Sequence, residues 1–262
     1  MSFYEKDDPT HLFESLKSLY NQTLPADEII LIQDGPVSQD LVDVVTLWKE
    51  KLPIKLEVVA ENKGLAHALN LGLGLSSYDL VARMDADDVA HPERFNKQVS
   101  FLKQHPDITV VGSWISEFLN DPEKVESYRK LPQSPEELFQ FAKRRCPLNH
   151  PSVMYRKEDV LAVGGYGHFR NQQDYHLWGK LLHKGYRLAN IPEPLLFMRI
   201  SPDLFHRRGG LKYFKMEYEI QKEFFENGFI SRWEFYRNTV IRLTTRLLPN
   251  RLRTLFYGMF LR

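Results

Sequence analysis

Cysteine is almost missing from this chain: Cys146 stands alone among 262 residues. No disulfide can close within one molecule, and the reducing cytosol is the expected compartment. Long apolar runs are missing too. No stretch approaches the roughly 18–20 residues that span a bilayer, and the opening MSFYEKDDP lacks the apolar segment of a secretory leader. Nor does one sign of charge dominate. With 35 Lys and Arg against 34 Asp and Glu, the whole chain has no electrostatic footprint of a nucleic-acid binder. G-x-G-x-x-G and the P-loop are both absent, which argues against a dinucleotide-dependent oxidoreductase and an ATPase. There are no internal repeats and no low-complexity segments.

What is there reads as an ordinary globular protein, 43% apolar and 26% charged. The charge is unevenly placed, however. Residues 206–262 hold 12 Lys and Arg against 5 Asp and Glu, a net of +7, which leaves about −6 on the remainder. We therefore expect a body over 1–205 and a basic helical tail over 206–262.

Along the body, helical and extended patterns alternate. Asp8-Pro9 is a helix start, followed by Leu12, Leu16 and Leu19 on one stripe. EIILIQ (28–33), KLEVVA (55–60) and LVARMD (80–85) read as strands. Between and after them, residues 41–48, 64–72 and 92–104 read as helices. Such alternation predicts an α/β fold with a largely parallel sheet covered on both faces. Only eight residues precede the first helix, so the opening strand is expected to be clipped. The stretch 108–170 looks less regular, with short strand-like pieces at 110–112 and 152–155. A helix carrying Tyr175 and Trp178 follows, then two strand-like runs at 186–190 and 195–200.

Ligands of open α/β sheets bind beyond the carboxyl ends of the strands. Asp34, Asn62 and Asp85 to Asp88 all fall there. In Arg83-Met84-Asp85-Ala86-Asp87-Asp88, three carboxylates in four positions repel one another unless a cation intervenes. A divalent ion with oxygen ligands would do this, and a diphosphate could complete its shell. A solvated acidic turn is the plainer alternative. The string is not an EF-hand, because the sixth and twelfth positions are Ala90 and Asn96 rather than Gly and Glu. Asp34-Gly35-Pro36 is either a base or ribose contact or a common turn. Asn62-Lys63-Gly64 could bring backbone close to a ligand at a helix start. Asp174 is either a helix cap or a general base, and His150 is either a polar contact or a structural histidine.

Taken in order, these pieces resemble glycosyltransferase family 2, whose members are inverting enzymes of the GT-A fold. The likeness is carried by Met1-Ser2-Phe3-Tyr4, Ser15-Leu16, Gln22-Thr23, Asp34-Gly35-Pro36, Asn62-Lys63-Gly64-Leu65-Ala66, Asn70 and the Arg83 to Asp88 string. Downstream it continues through Asn149-His150-Pro151-Ser152, Gly164-Gly165-Tyr166, Gln173-Asp174-Tyr175-His176-Leu177-Trp178 and Arg199. It is nearest to bacterial exopolysaccharide, capsule and O-antigen enzymes. It implies a Rossmann-like nucleotide-binding sheet, a nucleotide-sugar donor with UDP expected, and a divalent metal, Mn2+ or Mg2+. Tyr4, Asp34, Asn62, Gly64, Arg83 and Asp85 would bind the donor. Asp87, with Asp85, would hold the metal, and Asp174 would be the catalytic base. His150, Trp178 and Arg199 are candidate acceptor or diphosphate contacts.

Two departures stand out. The family usually carries Glu-Asp where this chain has Gln173-Asp174, and the Gln-x-x-Arg-Trp signature of processive synthases is absent. One sugar per encounter is the expectation. A catalytically inactive sugar-nucleotide-binding or partner subunit is the alternative. In the tail, residues 230–262 set seven arginines and one acid among aromatic and aliphatic residues. That composition suits an anionic membrane surface and a lipid-linked or glycan acceptor, placing the protein peripherally on the cytoplasmic face of the inner membrane. The plainer reading is a helical cap packed on the body.

Overall fold

The computed structural model describes residues 1–169, 171–201 and 210–247. Two sheets form the centre. The smaller is parallel, in the order β1 (Ser2–Phe3), β2 (Ile29–Asp34), β3 (Ile54–Val59). The larger is mixed, in the order β4 (Leu80–Ala82), β8 (Met154–Arg156), β6 (Ile108–Phe118), β9 (Arg187–Arg199), β5 (Val89–Ala90), with β7 (Val125–Arg129) added antiparallel to β6. Within it only β6 and β9 are parallel. The α/β expectation holds, but the largely parallel sheet is confined to the first three strands. The opening strand is two residues long.

Helices cover these sheets. α1 (Pro9–Tyr20) is capped by Asp8, whose carboxylate accepts the N–H groups of Thr10 and His11. α2 (Gln39–Lys49), α3 (Leu65–Leu75) and α4 (Arg94–Gln104) complete the first half. α5 (Pro135–Ala142) opens with a reciprocal Ser134 and Glu137 capping box. α6 (Lys157–Ala162), α7 (Gln173–His183), α8 (Leu211–Glu226) and α9 (Arg232–Leu247) follow. The two apolar cores are built separately. One gathers Leu12, Leu16, Leu31, Leu41 and Phe95, the other Leu177, Trp178, Leu181, Ile220 and Phe224.

The middle of the chain is more regular than its sequence pattern. β6 runs eleven residues and is buried along nearly its whole length, so polar and apolar residues do not alternate along it. β9 is one strand rather than two. Pro192 and Pro194 interrupt its pattern, and the pairing with β6 slips beside them, between Ser113 and Ile115. Bulges of this kind accommodate residues that cannot donate to the ladder. α8 packs on the second core through Ile220 and Phe224, the turn after it through Phe229 and Ile230, and α9 through the partly buried Phe235. The expected boundary at 205/206 and the tail beyond Leu247 lie outside the described residues.

Candidate functional site

β4 ends at Ala82 and the chain turns through the acidic string before pairing again at β5. Here the side chains of Asp85, Asp87 and Asp88 come together, one carboxylate oxygen of each lying within 4.8 Å of the others. Arg83 is buried and its guanidinium grips both oxygens of Asp85. Asp88 is 1% exposed. Its Oδ1 accepts the backbone N–H of Arg199 at 2.9 Å, whereas Oδ2 is buried with no partner among the described residues. Burial, and then the charges of Asp85 and Asp87, push the Asp88 carboxyl well above its ordinary value. Asp87 is open to solvent, yet desolvation within the cleft and the charge of Asp85 raise it too. A fourth acid, Asp7, faces the cluster and is raised to about 6, by desolvation first and in part by the charges of Asp87 and Asp85. An enclosed carboxylate oxygen without a partner, beside two more carboxylates, is a donor set suited to a hard divalent cation.

The loop is held by neutral and cationic side chains gripping its backbone. From α1, Ser15 Oγ donates to the Asp85 carbonyl at 3.0 Å. Ser18 Oγ accepts the Ala90 N–H, and Gln22 Nε2 donates to the His91 carbonyl at 2.9 Å. From α4, the fully buried Arg94 donates to the carbonyls of Arg83 and Val153, and to Gln98 Oε1. Burial, and then the neighbouring charge of Arg83, lower the Arg94 guanidinium to about 9. Gln98 in turn donates to the Ser152 carbonyl at 2.7 Å. Arg94, Gln98 and Ser18 had no place among the sequence-based candidates. Their signal was a polar residue at a core-facing helical position, a costly placement unless it is hydrogen-bonded.

Asp34 closes β2 and is buried. Its carboxylate accepts the N–H groups of Lys63 and Gly64 at 2.8 and 2.9 Å, and its carbonyl accepts Asn62 Nδ2 at 3.1 Å. Asp34 therefore builds the Asn62 to Gly64 turn at the start of α3. Gly64 has φ 88° there, and a Cβ on Gly35 (φ 93°) would lie 2.8 Å from the Asn62 nitrogen. Both positions require glycine. Tyr4 is exposed in a turn closed by its N–H to Asp7 Oδ2 at 2.9 Å.

Asp174 sits in the first turn of α7, half-buried, with Cys146 Sγ donating to its Oδ2 at 3.5 Å. It does not cap the helix. Asn70 of α3 exchanges two 2.8 Å hydrogen bonds with the backbone of Tyr166, which precedes α7. His150 bonds Tyr166 Oη at 3.1 Å, and burial followed by the charge of Arg83 holds its imidazole well below the usual range, hence neutral at pH 7. Trp178 is fully buried edge-on against His150, so it shapes the wall behind that residue and offers no surface to an acceptor. Arg199 is spent as a clamp, from the Asp87 carbonyl to Glu14 and over the ring of Phe118.

α8 and α9 are docked against α7 and the residues just before it. Glu217 of α8, 1% exposed in its side chain, pairs with both Arg242 and Arg246 of α9. It also accepts Gln172 Nε2, just before Asp174. Burial opposes ionisation of Glu217, but the Arg246 hydrogen bond and the two guanidinium charges outweigh it and hold the carboxyl below its usual value. Over 211–247 the helical-cap reading therefore describes the inner face. The outer face carries exposed Trp233, Tyr236, Val240, Ile241 and Leu247. Among the described residues no helix is long and apolar enough to cross a membrane.

The family model "Glycosyl transferase family 2" matches residues 1–164. The amylovoran biosynthesis glycosyltransferase AmsE of Erwinia amylovora is 38% identical over 98% of this chain and 96% of its own length. The UDP-Gal:alpha-D-GlcNAc-diphosphoundecaprenol beta-1,3-galactosyltransferase of Escherichia coli is 37% identical over 100% and 95%. Among solved structures, a mannosyltransferase of Pyrobaculum calidifontis in complex with GDP-Man and Mn2+ superposes with a TM-score of 0.67. It shares 17% identity and covers 98% of this chain and 72% of that one, a likeness of GT-A fold.

Proposed function

The chain belongs to glycosyltransferase family 2, and on that premise we propose that it is an inverting, metal-dependent hexosyltransferase of bacterial surface-polysaccharide synthesis. It moves a sugar from a UDP-sugar to a lipid-linked glycan acceptor. The observation that carries this reading is the convergence of Asp85, Asp87 and Asp88, with the buried Asp88 Oδ2 left unpartnered among the described residues. The names of the two bacterial relatives support the pathway and the acceptor class.

Asp87, Asp88 and Asp85 would hold a divalent ion, which would supply charge stabilisation for a leaving diphosphate. The chain's own residues do the rest. The Asn62 to Gly64 turn, braced by Asp34, receives the nucleotide beside Tyr4. Arg83 orients Asp85 through its paired contacts. Asp174 takes the proton of the acceptor hydroxyl, whose oxygen bonds the anomeric carbon as the bond to the diphosphate oxygen breaks. Positioning and preorganised charge account for most of the acceleration. The exposed aromatic and aliphatic face of α9 would rest on the anionic inner leaflet, near the acceptor.

Calorimetry of UDP with and without Mn2+ tests the donor site. Wild type should bind in a metal-dependent manner, and Asp87→Ala should weaken that binding by about 100-fold or more. Folded wild type that binds none of UDP, GDP and dTDP ends the reading. Turnover of UDP-sugar with a polyprenyl-diphosphate glycan separates the enzyme from an inactive binding subunit.

A further inference from the structure

Two sheet edges open onto one cavity. β1 covers β2 only from Ile32 onward, so Ile29 and Ile30 have β3 on one side and no paired strand on the other. β4 pairs with β8 alone. Asp79 and Arg83 bond the backbone of Lys157 and Val153. By the alternation of an antiparallel pair, the N–H and C=O groups of Leu80 and Ala82 face away from β8. Between these edges lies a cavity of about 490 Å3, lined by Ile29, Ile30, Leu80, Val81 and Ala82. α3 adds Leu69 and Leu73 from the second core, and α1 and α4 add Leu19, Phe95 and Val99 from the first.

Met1 marks the register. Its carbonyl accepts the Ile32 N–H and its ammonium donates to the Ile30 carbonyl, both at 3.1 Å, the spacing of a parallel ladder. That ammonium is enclosed, and burial followed by the charge of Arg83 pushes it down to about 5. An amide N–H in its place would make the same bond without burying a charge.

We propose that this cavity is the seat of one more strand: an extended apolar segment of about four residues, joined to Met1 and parallel to β2, which merges the two sheets into one. Helices line the cavity from both cores, so both faces of the guest must be apolar, as in a parallel strand buried on each side. Joining to Met1 matters. A free peptide would set its carboxylate against the Met1 ammonium in an apolar slot, whereas a joined one replaces both charges with an amide. The seat also bears on function, because β4 runs directly into Arg83 and Met84, which line the same cavity.

The test fuses Val-Ile-Val-Ile or Gly-Ser-Gly-Ser to Met1 of the full chain, each behind the same polar tag, with no substrate present. The apolar extension is expected to raise Tm by about 5–10 °C over the Gly-Ser form. It should also slow amide exchange at Ile30 and at Leu80 and Ala82 together. Equal Tm values, or protection on one edge only, overturn the proposal. A third fusion, Val-Asp-Val-Lys, must behave like the Gly-Ser form, since charges cannot enter the slot; stabilisation by it equally overturns the idea. None of these readings depends on the proposed reaction, so the two can fail separately.

Discussion

The acidic loop and the helix bearing Asp174 are both held rigid, but by different means. Around the loop, short uncharged groups together with Arg94 and Arg199 grip backbone carbonyls and N–H groups, as with Ser15 on Asp85, Gln22 on His91 and Arg199 on Asp87. Arg83 pairs with Asp85, whereas Asp87 and Asp88 have no ion-pair partner among the described residues. Behind α7 the reverse holds. Apolar packing of Phe224 and Ile220 is supplemented by a buried carboxylate neutralised by two arginines. The lesson concerns charge. At the loop, where the proposed cation would relieve repulsion, the surrounding protein leaves Asp88 Oδ2 without a partner among the described residues. Where only position is needed, it completes the ion pairs internally.

That contrast can be broken from either side. The largest effect should come from Asp174→Asn. It is expected to lower kcat by about 10² to 10⁴-fold while leaving metal-dependent UDP affinity unchanged; equal loss of binding would mean that the two sides are not separable. Next is Glu217→Gln, which removes the charge that pairs with two largely buried guanidinium groups. It should cost about 3–5 kcal/mol in urea unfolding, against a small change for a charge removed from the surface pair of Lys222 and Glu226.

The third concerns pH and the Met1 amine, whose folded value is lowered from 8.0 to about 5. Between those values the unfolded chain binds the proton and the folded one does not, so stability rises with pH from about 5 to 8. The rise is bounded at about 4 kcal/mol. Asp7, raised to about 6, works in the opposite sense between about 4 and 6, and is partly screened by solvent. Nα-acetylated protein should lose the Met1 slope, as read from urea midpoints across that range. The smallest effect on stability, within about 0.5 kcal/mol, is expected for Trp233→Ala with Tyr236→Ala. If α9 rests on a membrane, the pair nevertheless abolishes sedimentation with vesicles containing anionic lipid; unchanged sedimentation removes that role.

Much of the first half was legible because its signals are local. Asp8-Pro9 caps α1, and glycine at 35 and 64 meets backbone demands that no other residue satisfies without strain. The acidic string falls at a strand end, as the pattern placed it. Less legible were the long strands. β6 is buried and does not alternate, and β9 hides two prolines beside a register slip. The resemblance assigned no role to Asp88. Asp85 and Asp87 were the ligands expected from the resemblance, whereas the buried unpartnered oxygen belongs to Asp88.

The sequence by itself determined most of the order of helices and strands as far as residue 104, the clustering of three carboxylates within four positions, and the excess of arginine at the end of the chain. Each follows from spacing along the backbone, which fixes what neighbours can do within a few residues. Only the tertiary structure decided which polar groups are spent. Arg199 is committed to Glu14 and the Asp87 carbonyl, Trp178 is enclosed, and two tail arginines turn inward to Glu217. Those outcomes depend on desolvation and on partners up to 185 positions away, and neither is written into local spacing.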